Sequence, residues 1–295
     1  MESTRTLFPE IGQRLRAYRL GSGASAEEIA RRLGVSRAAL YRYEAGDIIK
    51  IETLSRLAKL FAVPLSAILG MGIEYVTNGI AFFERLRQLE DNAEYELVVF
   101  GPIAYVLTSD EYDAVLEEVF AERIPADSAS LRVDGESLLR ILKQRKASFR
   151  KSGRSLVSLI PARELELFLT TGLQGASDPD ADTLQRRRAH AAREVEHIAR
   201  MIEHPAMGVQ IGLTFARVPT TGFQILRRPP RPIVAISPFR LGYQPNIDIG
   251  VATISESDEV IEIHRQIAER LWAGALTGQE AAAHLRALIE RRPGA

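Results

Sequence analysis

The stretch SAEEIARRLGVSRAALYRYEAG, residues 25–46, decides the fold of the first part of this 295-residue chain. Ser25 followed by Glu28 is an S-x-x-E capping box, in which each side chain reaches the other residue's backbone N–H and closes donors that a helix start leaves open. Ile29, Ala30 and Leu33 then give an apolar face as far as Gly34. Gly34 can adopt the left-handed conformation, Val35 can plug the corner, and Ser36 can cap a second helix that carries Leu40 and Tyr43 inward until Gly46 ends it. Two capped helices joined by a three-residue turn containing glycine make a helix-turn-helix, whose second helix offers its N-terminal side chains to a DNA major groove.

Working outward, Ile11, Leu15 and Tyr18 recur at helical spacing before the Gly21-Ser22-Gly23 break, and Leu54, Leu57, Ala58 and Phe61 mark a fourth helix. Pro64 stands where a fifth helix through Leu69 begins, and Gly70-Met71-Gly72 closes the unit. The expectation is an all-α, five-helix domain over residues 1–72. Residues 11–70 carry ten basic and five acidic groups, a net of +5, and since the whole chain balances 38 against 38 the remainder carries −5. A basic head on a mildly acidic body suits binding of a polyanion by the head. Arg37 and Arg42 face outward from the second helix of the motif, and the planar fork of arginine pairs with guanine O6 and N7, so both are expected to read bases. Ser36, Tyr41 and the capped helix start at Ser25-Ala26 are placed for phosphates, which position without specifying.

On SAEEIARRLGVSRAALYRYEAG and LSRLAKLFAVPLSAIL, residues 54–69, the head resembles the Xre-type helix-turn-helix domain shared with the phage repressor and Cro proteins. The resemblance covers about a fifth of the chain. It implies a DNA-binding transcriptional regulator with Arg37, Ala38 and Arg42 at base-reading positions and Lys50 in a phosphate-contacting loop. Many members have Gln as the first residue of the motif's first helix, where this chain has Ala26, so that contact to phosphate is not implied here. A single small head discriminates poorly, whereas two heads about one DNA turn apart read a palindrome and add their energies; double-stranded DNA and a second copy are therefore the expected partners.

Ile73, Val76, Ile80, Phe83 and Leu86 at spacings of three and four predict one amphipathic linker helix over 73–90. Residues 91–295 then alternate between strand and helix signals, predicting an α/β domain with a mixed sheet that senses an effector and supplies dimer contacts. Strands are expected within 96–108, at 156–160, and at 209–215, 222–226, 232–236 and 247–254, the last four in antiparallel pairing. Helices are expected over 112–120, 162–169, 184–203, 257–274 and 278–291, with a loop at 172–182. Candidates for the dimer surface are the linker helix and the C-terminal helices with Leu271, Trp272, Leu276, Leu285 and Leu288.

Three polar groups stand out in this body. His190, Glu194, His197, Met201 and His204 share one helical stripe; it reads as a polar edge beside the apolar Ala191, Val195, Ile198 and Ile202, although His and Glu one turn apart also suit a divalent metal. Lys143, Arg145, Lys146, Arg150, Lys151 and Arg154 read as a solvated helix and loop, or as a site for an anionic effector or a DNA flank. Arg227, Arg228 and Arg231 around Pro229-Pro230 form a second basic cluster open to the same two readings. The helix at 80–90 feeding ELVVFG weakly resembles the degenerate phospholipase-D-like sensor domains found behind some bacterial regulators; none of the five His begins an H-x-K pair, which implies that catalysis is absent.

The chain has no cysteine, which removes disulfides and thiolate chemistry, no apolar run of about 18 residues that would cross a membrane, and no basic-then-apolar N-terminus of a secretory signal. A cytoplasmic protein is expected. No G-x-S-x-G, G-x-x-x-x-G-K-[ST], H-E-x-x-H or post-strand G-x-G-x-x-G occurs, so neither an enzyme nor a cofactor or metal is expected. The expected control is by a ligand or partner at the body, with a small-molecule effector among the candidates. The rival readings are an antitoxin-like or phage-type repressor whose body binds another protein, and an unfamiliar enzyme tethered to DNA.

Overall fold

The computed structural model describes residues 8–47, 49–70, 72–123, 129–175, 179–242 and 244–292. Met71 of the expected closing turn, residues 176–178 of the expected loop and the N-terminal residues 1–7 lie outside them. The head forms five helices: α1 (Pro9–Gly21), α2 (Ala26–Leu33), α3 (Arg37–Glu44), α4 (Ile51–Leu60) and α5 (Leu65–Leu69). Leu15, Ile29, Leu33, Leu40, Leu57 and Ile68 meet in one apolar core separate from that of the body. The multidomain fold, a helical head followed by an α/β unit, is as the sequence predicts.

The body is one seven-stranded mixed sheet in the order β1-β7-β6-β5-β2-β3-β4. Its strands are β1 (Glu74–Val76), β2 (Tyr95–Val99), β3 (Ser155–Pro161), β4 (Val209–Thr214), β5 (Gly222–Arg227), β6 (Ile233–Ser237) and β7 (Ala252–Ser255). Strands β2, β3 and β4 run parallel, and the remaining pairs are antiparallel. Alternation along the strands sends Val98, Leu156, Ile160, Ile211, Leu226 and Ala235 to one face, which carries helices α6 (Gly79–Glu90), α7 (Asp110–Arg123), α8 (Ala129–Ser152), α9 (Ala162–Thr171), α10 (Ala181–Glu203) and α12 (Gly278–Glu290). Val99, Leu159, Phe223, Ile225 and Val234 face the other way, against α11 (Asp258–Ala273). Strand β4 departs from expectation. It lies at the far edge beside β3 in parallel register and does not join the antiparallel β5-β6-β7 run.

The segment 73–90 also departs from expectation, because it is not one helix. Residues 74–76 are strand β1, antiparallel to β7 through Glu74↔Ile254 and Val76↔Ala252, and α6 starts only at Gly79. Asn78 provides the physical reason: its Oδ1 accepts from the Ala81 N–H at 3.1 Å, so a helix begins there, while Tyr75 and Val76 alternate outward and inward as a strand requires. Nor is α6 a linker. It is buried along almost its whole length, with α1 of the head on one side and the body on the other. The expected dimer helices are likewise occupied within the chain, since Leu285 and Leu288 belong to the body's core and Leu271 packs under the sheet.

Candidate nucleic-acid interface

Helix α2 begins at Ser25, whose Oγ accepts the Glu28 N–H at 3.1 Å. Only this half of the expected capping box forms, because the Glu28 carboxylate turns to Arg32 at 2.5 Å one helical turn on. The turn to α3 is Gly34-Val35-Ser36. Gly34 has φ +72, the left-handed backbone that a side chain resists, and its N–H and that of Val35 close onto the last carbonyls of α2. Ser36 then caps α3 through the Ala39 N–H at 3.1 Å. The two helices are thereby fixed by backbone chemistry, and Leu40 anchors α3 in the core.

What α3 shows to solvent is the stripe Arg37, Ala38, Tyr41 and Arg42, all exposed. Arg37 lies 5.8 Å from the centroid of the Tyr41 ring and Arg19 of α1 lies 5.9 Å from it, so the exposed ring is bordered by two guanidinium groups. Arg42 reaches Asp47 at 3.8 Å, a pair on the surface that solvent weakens enough for a phosphate or base to compete. Arg19 bonds Glu44 with Nε at 2.5 Å and Nη2 at 2.9 Å, tying α1 to the end of α3; burial pulls that guanidinium's pKa down, but the Glu44 bond holds it above its ordinary value. Lys50, at the start of α4, is exposed.

Of the predicted contacts, the structure therefore brings Arg37, Ala38, Tyr41 and Arg42 onto one open face, and leaves the Ser25 and Ser36 hydroxyls accepting cap hydrogen bonds while exposed. Ala26 is the exception: its side chain is buried in the head, so only its backbone N–H at the helix start is placed to meet a phosphate. Residues 10–68 match the family model for a helix-turn-helix domain. The N-terminal unit is a helix-turn-helix domain. No curated protein matches the chain. A domain of this kind binds DNA, and regulation of transcription is the role it fits.

The basic groups singled out in the body are largely engaged within it. Arg145 bonds Glu90 at 2.5 and 3.0 Å, Arg154 bonds Glu96 at 3.1 Å, Lys146 bonds Asp113 at 2.6 Å and Arg150 meets Asp110 at 2.8 Å. These are internal ion pairs, three of them buried, and not an anion site. Arg228 bonds Glu10 of α1 at 3.1 Å, so it joins the body to the head. His190 and Glu194 are both buried, and Glu194 accepts from the Ser109 N–H at 3.1 Å and from its hydroxyl, which accounts for the stripe as a core edge. Among the described residues no group of three or more His, Asp or Glu is arranged to hold a metal, and no helix is long and apolar enough to cross a membrane.

The sequence reading missed the contact between head and body. Glu74 of β1 accepts from Arg85 Nε at 2.9 Å and Nη2 at 3.1 Å, and Arg14 Nε and Tyr18 Oη stand 3.4 Å from the same carboxylate. Gln88 donates to the Gln13 carbonyl at 3.0 Å and Arg16 donates to Glu84 at 3.1 Å. Gly21 lets α1 approach α6: a Cβ there would stand 2.6 Å from the Ala81 Cβ. Burial and Glu74 together push the Tyr18 hydroxyl pKa far up, so it stays protonated. The signal available in sequence was Glu84, Arg85 and Gln88 on one stripe of a helix otherwise too apolar for an exposed linker.

Proposed function

We propose that the chain is a cytoplasmic transcriptional regulator of the Xre type, binding a palindromic operator as a homodimer and controlled by a small molecule at the body, which itself catalyses nothing. The observation that carries this reading is the open stripe Arg37, Ala38, Tyr41 and Arg42 on a helix braced at both ends, with exposed Lys50 beside it. Two guanidinium groups five positions apart suit guanine edges, and the Ser25 and Ser36 helix starts suit phosphates.

Homodimer formation is supported by an apolar strip at the open edge of the sheet. Ile73, Tyr75 and Val251 lie on one side of the β1-β7 pair, each more than two-fifths exposed, with Ile249 following at 81%. An edge strand with exposed apolar side chains invites a second copy. The likeness of the body to phospholipase-D-like sensors is part of the proposal and rests on the helix at 80–90 and ELVVFG, residues 96–101, alone.

The test is selection from a random DNA pool by the purified full chain at about 150 mM salt, near physiological screening. Recovery of an inverted repeat with half-sites about one turn, ~34 Å, apart supports the reading. Recovery of single half-sites only removes the homodimer, and recovery of no sequence at all from either the full chain or its Arg37-bearing head overturns it.

A further inference from the structure

Along α10, the start of α7 and the end of α12 bound an open cleft of about 450 Å³, within the size range of small-molecule sites. Its floor is apolar, made by Ala189 and Ala192 of α10 and Ile289 of α12. Three arginines and a histidine line it: Arg193, His197 and Arg200 of α10, and Arg292 just past α12. The acidic groups of the cleft are committed. Glu194 is buried and accepts from the Ser109 N–H and hydroxyl. Glu196 is held by Arg286 at 3.2 and 3.3 Å, so Arg200 reaches that carboxylate only at 3.8 Å, an exposed contact that solvent weakens. Glu111 takes Arg193 at 2.5 and 3.0 Å. Arg292 donates through Nη1 to the Ile289 carbonyl at 3.0 Å and has no carboxylate partner among the described residues, where His197 has no hydrogen bond either.

Two guanidinium groups without a close carboxylate, set over an apolar floor, suit an organic acid: the planar fork of arginine matches a carboxylate, and an apolar body covers Ala189, Ala192 and Ile289. We propose that this cleft is the effector site, that it takes a small carboxylate with an apolar body, and that α8 relays its occupancy to α6. Ser109 starts α7 at one end of the cleft, and its carbonyl accepts from Lys146 Nζ of α8 at 2.7 Å. The neighbouring Arg145 holds Glu90 at the end of α6, and α6 carries Glu84 and Gln88 against α1 of the DNA-binding head. A carboxylate that draws Arg193 from Glu111 frees the first turn of α7, and packed helices pass such a shift on. The proposal rests on the reading of the chain as a ligand-controlled regulator and gives that control a place, a ligand class and a route.

The test uses the full chain with benzoate as probe and benzamide, uncharged and of nearly the same shape, as its control. Benzoate is expected to bind about tenfold more tightly than benzamide by ligand-observed NMR at low salt, the factor that a charge-assisted hydrogen bond supplies. Arg200→Gln and Arg292→Gln are each expected to weaken benzoate severalfold, and the double variant to bring the two probes to about equal affinity. Ala189→Trp, at a half-buried position on the floor, is expected to abolish binding of both. If Ala189→Trp does not fold, the double arginine variant decides alone. Hydrogen exchange with and without benzoate reads the route: amides of residues 110–115, 141–150 and 79–90 are expected to change together. Equal affinity for the two probes in the parent chain, no binding of benzoate, or benzoate binding that survives either the double variant or a folded Ala189→Trp overturns the site. Binding with exchange altered in α7 but not in α6 overturns the relay. These readouts contain no DNA, so failure of the regulator reading appears separately, as failure of DNA selection by a chain that still binds benzoate.

Discussion

Replacing Glu74 by Gln tests whether the DNA-reading head is fixed to the body or merely lies beside it. Glu74 is 5% exposed and Arg85 2%, and the two are joined through both Nε and Nη2 of the guanidinium. Charges about 4 Å apart at an effective dielectric of about 20 attract by about 4 kcal/mol, and removing one partner of a buried pair typically costs about 3–5 kcal/mol because the other is left uncompensated. Gln preserves the shape and one acceptor, which places Glu74→Gln near the lower end, at about 3 kcal/mol. Tyr18→Phe, which removes only a 3.4 Å hydrogen bond to the same carboxylate, should cost about 1 kcal/mol or less. Because the same carboxylate also meets Arg14 and Tyr18 of α1, and head and body have separate cores, the loss should appear first as detachment. Limited proteolysis near residues 70–78 should accelerate by about a hundredfold, with a lower urea midpoint. A Glu74→Gln chain within about 0.5 kcal/mol of the parent in urea, with unchanged proteolysis, would refute the argument that Glu74, through Arg14 and Tyr18 of α1, holds the head in place.

Arg37→Ala and Arg42→Ala should each weaken operator binding by about 1–3 kcal/mol and relax specificity at one position per half-site, read by competition binding at fixed salt. Lys50→Ala should weaken all sequences alike and flatten the slope of log affinity against log salt by about one. Gly34→Ala should destabilise the head by about 1–2 kcal/mol in thermal unfolding, entirely from backbone strain at φ +72, since a Cβ there meets nothing within 4 Å. The Glu96 carboxyl is pushed from 4.5 to about 7 by burial, with the Glu90 charge adding to it. The folded state therefore holds a proton that the unfolded state releases between these values, and its contribution to stability, full below about pH 4.5, is lost as pH rises through 7. The loss amounts to about 3 kcal/mol at most. Glu96→Gln should flatten that part of the urea stability profile, and an unchanged profile would reject Glu96 as its source.

The head was readable because its decisive features are local. A cap at Ser25, a left-handed Gly34 and a cap at Ser36 act within a few residues of chain, so their meaning does not depend on what folds elsewhere. The body's strands were mostly found, but their order was not: β4 looks like its antiparallel successors in composition and differs only in having β3 as its neighbour. Helix α8 was obscured because Arg145 and Lys146 occupy its inner face, where long charged side chains paired with Glu90 and Asp113 stand in for apolar ones. A run of basic residues reads the same whether solvated or paired, since the partners come from 33 to 58 positions away. The same blindness hid the Glu74–Arg85 junction, and with it the fact that residues 73–90 belong to the body.

The placement of α6 also limits how this chain can be recombined. A cut at the glycines near residue 72 severs the head from Glu74, Arg85 and Gln88 and exposes a face of α1 that carries Arg14 and Tyr18. A graft made there would present two unmatched charged surfaces to a new neighbour. The piece that travels as a module ends after α6, near Asp91, and even this piece brings Phe82, Phe83 and Leu86, shaped to one particular host. Exchange of DNA specificity in such an architecture is therefore expected to proceed by substitution along α3 and not by swapping of whole heads.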